Sequence, residues 1–457
     1  MGYLTYCAKV LQIEKCARPH SGSNAYKSAL RSYFKFTFIL GDSLMSTIKQ
    51  VSSGRFARVL CAAALSTLSL GYASDSFAGA TFKIDDTKWI SLGAGIRSSF
   101  TAQESAAGAT GDKWSNDFNL DNARLYVNGQ VHKYVKFELN TECFPCTGGN
   151  GGHMFVLDAI SKFEITPYFN VWLGRQLVPA ERRELNGPFY SATYSIFGAG
   201  TPFESSDYNV RTYSNGSSAG AIGRDDGVNI WGSVLDGHLQ YVAGFFRGLT
   251  GGANQDHNIL YAQRVSYNIL DVEKNPGYYT SGTYYGKGGH ILTVGVSNQY
   301  QEDGAGVVGN TGNFRATAVD VLYEKPLANN MGVITVNGEY KNYGVSKGVG
   351  TYLQGNGGFN MFEGDAYDAS GMYLIPGKIG IGQFQPYVRY VNTIPVDSTT
   401  RNTYEGGLNY IIDGHNARVS LIYQYGDAVN GGNYGNFTDT AQHNKASALT
   451  LGFQMQI

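Results

Sequence analysis

The chain has 457 residues, among them 60 Gly, 33 Tyr and 24 Phe, with 16% charged residues and a formal net charge of −1. So low a charged fraction, against roughly 25% in ordinary soluble domains, comes without a run of about 20 apolar residues in the body of the chain, which excludes a helical span there. The glycines follow no G-X-Y period, which excludes collagen and leaves turns and crowded strand crossings as their use.

In chain order, residues 1–44 precede a segment with the marks of a secretory signal and are expected to be a mis-assigned start rather than a domain. Met45 opens that segment, Lys49, Arg55 and Arg58 form its positive part, and Val59 to Ala73 its apolar core. Ser76-Phe77-Ala78 supplies a small-x-small cleavage site, so the exported chain is expected to run 79–457. Nine of the 35 Lys/Arg and three of the 36 Asp/Glu fall in 1–78, which leaves 26 basic and 33 acidic residues, a net of −7. That sign argues against a nucleic-acid partner.

From Ile90 to Ile457 the dominant signal is period-two alternation of apolar and polar residues. The last segment is the cleanest: Leu449, Leu451, Phe453, Met455 and Ile457 share one face, and Thr450, Gly452, Gln454 and Gln456 the other. Sixteen such segments are predicted, at 89–100, 119–131, 133–141, 154–165, 168–175, 227–233, 238–247, 258–269, 290–300, 313–325, 332–342, 370–379, 382–392, 402–412, 416–426 and 445–457. Most are near the 9–11 residues a tilted strand needs to cross a bilayer, and their number is even, as bacterial barrels require. The fold class is therefore all-β, a transmembrane antiparallel β-barrel of sixteen strands.

The connections alternate. Short turns, such as His132-Lys133 and Thr166-Pro167, are expected on the periplasmic side. Longer Gly/Asn/Ser-rich stretches at 101–118, 142–153, 301–312, 343–369 and 427–444 are expected outside. Residues 270–289 break the rule as a long, Tyr- and Gly-rich connection on the short-turn side: either a strand is misplaced there or the connection has a further role. The longest connection, 176–226, follows the fifth strand, where general porins fold a constriction loop into the lumen.

If the apolar faces meet lipid, Arg97, Arg124, Lys136, Arg264, Lys341, Arg389 and Arg418 face the lumen, with Glu138, Asp320, Glu324, Glu339 and Glu405. A basic lumen concentrates anions and binds phosphate through charge-assisted hydrogen bonds; the same residues can instead tile a wet interior as cross-strand ion pairs. The long connection adds Arg175, Arg182, Arg183, Arg211 and Arg224, opposed by Glu181, Glu184, Glu204, Asp207, Asp225 and Asp226. Arg182-Arg183 could aim at a constriction, or Glu181 and Glu184 could neutralise it. Cys143 and Cys146 are the two cysteines of the exported part, where a disulfide is chemically available. Thr147 stands where covalent haem attachment would need His. Zinc would need two more ligands, and His153 alone is near; a docking or redox role is the alternative to the disulfide. No H-E-x-x-H or Walker loop is present, so neither an enzyme nor a cofactor is implied.

Several segments resemble the phosphate-selective porin O and P family: Asn122-Ala-Arg-Leu-Tyr-Val-Asn-Gly129 with Val135-Lys-Phe-Glu-Leu139; Asp158-Ala159; Val171-Trp-Leu-Gly-Arg-Gln176 and Pro179; Arg224-Asp-Asp-Gly-Val-Asn-Ile-Trp-Gly232; Leu235-Asp-Gly-His-Leu-Gln-Tyr-Val-Ala-Gly244; Gln385-Pro-Tyr-Val-Arg-Tyr390; and Asn409-Tyr-Ile-Ile-Asp-Gly-His-Asn-Ala-Arg418. The resemblance spans about 90–457 and implies a sixteen-stranded, often trimeric, anion-favouring channel of the outer membrane, with the lipid bilayer and small anionic or polar solutes as its partners. Two other readings share parts of this pattern: a barrel that sheathes an electron-transfer partner, and a secreted soluble all-β protein.

Overall fold

The computed structural model describes residues 79–143, 146, 153–195, 211–212, 218–219, 223–251, 253–345, 364–396, 399–427 and 445–457; the expected leader, 1–78, lies outside them. After the short strand β1 (Ala80–Lys83) come β2 (Trp89–Ala107), β3 (Lys113–His132), β4 (Val135–Cys143), β5 (Phe155–Thr166) and β6 (Phe169–Leu177). A helix, α1 (Arg182–Tyr190), and a two-residue ribbon of β7 (Arg211–Thr212) with β8 (Ser218–Ala219) follow. The wall resumes with β9 (Arg224–Val234), β10 (Leu239–Phe246), β11 (Leu260–Asn268), β12 (Ile291–Val307), β13 (Asn310–Pro326) and β14 (Val333–Val345). It ends with β15 (Gly364–Leu374), β16 (Gln383–Pro395), β17 (Arg401–Asp413), β18 (Ala417–Gly426) and β19 (Ala446–Gln456).

Each strand from β9 to β19 pairs antiparallel with the next, as do β2 to β6; β6 pairs with β9, and β19 with β2. The ring is thus a closed barrel of sixteen strands, one for each predicted segment. Closure matters because an apolar surround offers backbone N–H and C=O groups no partner outside the protein. The seam is made from both ends of the chain. β19 pairs with β2 from Gln103 down to Gly95, Ala94 exchanges backbone hydrogen bonds with Ile457, and β1 takes over the same edge from Leu92 to Trp89.

Burial runs opposite to that of a soluble protein. In β11, Leu260, Ala262, Arg264, Ser266 and Asn268 are buried while Tyr261, Gln263, Val265 and Tyr267 are exposed. Leu421, Tyr423 and Tyr425 of β18 and Leu449, Leu451, Phe453 and Met455 of β19 likewise point out. Two tyrosine-rich belts bound this apolar exterior. Tyr261, Tyr300, Tyr340, Tyr367, Tyr390, Tyr404 and Tyr425 lie toward the long-loop end, and Tyr134, Tyr168, Tyr267, Tyr323, Tyr373 and Tyr410 toward the short-turn end. Amphipathic rings favour the two interfaces of a membrane, one end apolar and the other wet. Among the described residues no helix is long and apolar enough to cross a membrane.

Three expectations need correction. The stretches 101–118 and 301–312 are mostly strand: β2 and β3 run on to a turn at 108–112, and β12 and β13 meet across Val308 and Gly309. The segment placed at 370–379 is β15 at Gly364–Leu374, because Gly377 and Gly380 sit at φ 80° and 68° and turn the chain. The ribbon β7–β8 and α1 interrupt what was expected as one irregular connection. Residues 270–289, by contrast, are a long connection with no strand in it.

Val265 is half-exposed in the middle of the outward row of β11. Val265→Arg should destabilise the barrel by about 2–4 kcal/mol if that row meets the bilayer midplane, whereas Val265→Leu should be neutral. Denaturant titration of both variants refolded in vesicles checks this; a neutral arginine would remove the row from lipid.

Candidate functional site in the barrel lumen

Residues 178–195 leave β6 and fold back inside the ring. α1 is kinked at Gly187, whose φ of 63° precedes Pro188; a proline here lacks the N–H that a regular helix would need. The wall holds this segment largely by its main chain. Gln299 donates to the Pro179 carbonyl (3.0 Å), Arg264 to Ala180 (3.1 Å) and Gln454 to Phe189 (2.9 Å). Arg418 donates to the carbonyls of Ser191 (2.8 Å), Ala192 (3.3 Å) and Thr193 (3.2 Å), Arg97 to Tyr194, and Arg389 to Ser195 (3.2 Å). Carbonyls that a folded-in loop cannot pair with itself must find such donors once buried.

Two glycines make room for its aromatic side chains. A Cβ on Gly95 would lie 2.7 Å from the Phe189 ring, and one on Gly452 2.6 Å from the Tyr194 ring. Tyr194 is further fixed by the Arg97 guanidinium 4.0 Å over its ring and by its hydroxyl donating to Asp121 (2.5 Å).

The charges are interleaved rather than segregated. Arg182 forms a two-point pair with Glu273 (2.6 and 2.8 Å) and lies 3.5 Å from Asp320; Arg183 lies 3.4 Å from Asp368; Glu181 lies 2.6 Å from Lys341. The backbone N–H groups of Arg182 and Arg183, unpaired in any helix start, donate to Asp320 and Glu339 across the lumen (both 3.3 Å). On the wall, Arg264 pairs with Asp320 (2.9 Å), Arg389 with Asp368 (2.7 Å), Arg124 with Glu142 (2.6 Å), Lys136 with Glu164 (2.5 Å) and Arg224 with Asp158 (2.7 Å). Lys162 pairs with Glu138 and sits 3.9 Å over the Trp172 ring. Such geometry is required: a charge left buried without its partner costs roughly 3–5 kcal/mol.

All seven wall cations predicted from strand parity therefore face inward. Arg124, Lys136, Arg264, Lys341 and Arg389 have carboxylate partners, and Arg97 and Arg418 hold loop carbonyls. Arg182 and Arg183 meet Glu273, Asp320 and Asp368 across the lumen, and Glu181 beside them meets Lys341. Arg175 belongs to β6, not to the loop; it shares the outward row with Leu173 and pairs with Asp226 (2.8 Å). Arg224 and Asp225 are likewise on β9. Glu204, Asp207 and the side chain of Arg211 lie outside the described residues. Cys143 and Cys146 are disulfide-bonded, and the Cys146 N–H donates to Leu120 of β3 (3.1 Å). Parity also places Asp158, Lys162 and Glu164 inward, a signal the sequence carried unused. Glu273 had none, because it lies in an irregular connection.

That connection, 270–289, also enters the lumen. The buried Tyr278 donates to the Leu177 carbonyl (2.6 Å) and packs on Trp172. Gly277, at φ 60°, lies so close that a Cβ would come within 2.4 Å of the Trp172 ring. Thr280 donates to the Arg182 carbonyl (2.7 Å), the Gly282 N–H to Tyr190 (2.9 Å), and Arg182 to the Ser281 carbonyl (3.0 Å). Beneath it, His415 in the β17–β18 turn lies 2.8 Å from the Thr283 carbonyl and 3.0 Å from Ser281 Oγ, between the rings of Tyr190 and Tyr285. Burial and the nearby Arg418 push the His415 imidazole down to about 3. Burial alone would raise the Glu273 carboxyl, but Arg182 outweighs it and holds it at about 2.

No family model matches the chain, and no curated protein matches it. Among solved structures, OprB of Pseudomonas putida superposes with a TM-score of 0.52 at 8% identity, covering 80% of this chain and 94% of that one. OmpF of Salmonella typhi, solved in complex with daunomycin, gives 0.51 at 13% identity, covering 83% and 100%. At these identities the likeness shows the fold.

His415 is neutral in the folded chain and takes up a proton in the unfolded one near its ordinary value of about 6.5. The unfolded state therefore binds more protons across the window from about 6.5 down to about 3, and stability should fall as pH drops through it. Unfolding midpoints measured from pH 7 to 4 should show a shallower loss in His415→Gln; equal slopes would take His415 out of the acid response.

Proposed function

We propose that this chain is a passive diffusion channel of a Gram-negative outer membrane, a porin that admits small hydrophilic solutes. One observation carries the reading: a polar-lined ring with an apolar, tyrosine-bounded exterior holds its own loop inside, clamped by wall arginines on loop carbonyls. OmpF and OprB, with which the barrel superposes, are porins; the resemblance to phosphate-selective porins supports the same class. The expected leader at 45–78 is consistent with export. The outward apolar rows favour the membrane over a secreted soluble protein, since no second sheet covers them among the described residues. The lumen segments 178–195 and 270–289 favour a channel over a sheath for a partner protein. A homotrimer in the bilayer belongs to the same proposal.

Selectivity for phosphate receives less support than the channel itself. A phosphate site draws on cations whose charge carboxylates do not offset. Here most of the inward cations named above lie against carboxylates, which favours a general porin with mixed-sign walls.

Planar-bilayer recording of the chain refolded from Gly79 tests this. Open channels with a small salt-gradient potential and no phosphate block are expected; a strong anion-favouring potential with phosphate block would restore the phosphate reading. A folded barrel without conductance would end the porin proposal. Arg418→Gln, which removes donors to three loop carbonyls, should raise the conductance or make it unsteady.

A further inference from the structure

We infer that residues 270–289 form a second constriction element, entering the barrel from the short-turn end, and that Glu273 is the residue that positions and neutralises Arg182 of α1. The inference rests on the channel reading and assigns that channel a selectivity-determining pair.

Short turns suffice to join antiparallel strands, and most connections at this end are short. Twenty residues at 270–289 are many more than closure of β11 onto β12 needs, and they are not left hanging from the rim. Tyr278 is wholly buried against Trp172, Leu177 and Asn229. Thr283 and the N–H groups of Tyr284 and Gly286 donate to Glu324 on the wall (2.7, 3.0 and 2.8 Å). Gly282 fits against Ala192, where a Cβ would come within 2.5 Å of its backbone nitrogen. The connection thus touches both ends of α1 and the start of the clamped stretch behind it. The constriction loop is held by the wall arginines and, from the short-turn end, by a different part of the chain.

Glu273 is the charged contact between the two elements. It binds Arg182 through both oxygens and accepts from the Tyr284 hydroxyl (2.6 Å), which also reaches Asn275 (2.6 Å). A two-point guanidinium–carboxylate pair fixes orientation as well as charge. Asp320, the other acid near Arg182, is already held by Arg264. Without the Glu273 charge, Arg182 would be left to share Asp320 with Arg264, and an under-compensated lumen cation draws anions. Glu273 thereby keeps α1 from acting as an anion filter.

The test uses the full exported chain in planar bilayers. Glu273→Gln should move the salt-gradient potential toward anions, Glu273→Asp should restore it in large part, and the Arg182→Gln/Glu273→Gln double variant should return close to the parent. A Glu273→Gln channel with the parent's potential, or a double variant as anion-favouring as the single, overturns the assignment. A merely structural role for Glu273 would change stability without this sign pattern. Independently of conductance, the thiol of a Ser281→Cys variant should resist a charged thiol reagent in the refolded barrel and react after unfolding. Ready reaction in the folded barrel would place the connection outside the lumen and overturn the inference even if the barrel conducts. Absence of current in the parent, together with a protected thiol in the Ser281→Cys variant, would fail the channel reading while upholding the seating of the segment, so the two failures are distinguishable.

Discussion

A backbone amide surrounded by hydrocarbon has no partner except another strand, and that single demand organises the molecule. It forces the sheet to close, which the β9–β10 and β19–β2 pairs achieve. Closure in turn divides every strand into an outward and an inward row. Once the outward row is Leu, Val, Phe and Tyr, everything polar must go inside. The large set of buried charged and amide side chains is the direct result of an exterior that tolerates few of them.

Putting many charges into one enclosed space raises a second problem, solved by interleaving. Arginines alternate with carboxylates around the wall, and where no carboxylate is at hand the guanidinium takes a loop carbonyl instead. Arg418 and Arg97 are of this kind. The loop therefore does more than narrow the lumen: its main-chain carbonyls accept hydrogen bonds from the wall arginines that it covers. Wall and loop are electrostatically one object, which explains why a basic residue's lumen position says little about its availability to a passing solute.

Much of the fold was legible because lipid imposes a period of two that water does not. All sixteen strands were found, and the inward direction of Arg97, Arg124, Lys136, Arg264, Lys341, Arg389 and Arg418 followed from parity. The errors lie where lipid stops. The ends of β2, β3, β12 and β13 extend beyond the apolar rows, so Glu302-Asp303-Gly304 and its counterparts read as loop though they run in strand. At 375–381, spaced isoleucines imitate a strand that Gly377 and Gly380 turn aside. The pairing of lumen charges was not legible: Arg182 meets Glu273 across a chain separation that no local spacing encodes. The reason for the long 270–289 connection was hidden for the same cause, since its partners are Trp172, Arg182, Glu324 and His415.

The seam between the two ends of the chain bears on biosynthesis. β2 is among the first wall strands to emerge, yet one of its edges is completed only by β19 and the neighbouring β1. Until the last dozen residues arrive, β2 and β18 each present a row of unpaired backbone groups. A shortened product would carry two open edges into an apolar phase, a cost of several kcal/mol per unsatisfied group. The β19–β2 pair is thus the contact on which closure of the whole ring depends.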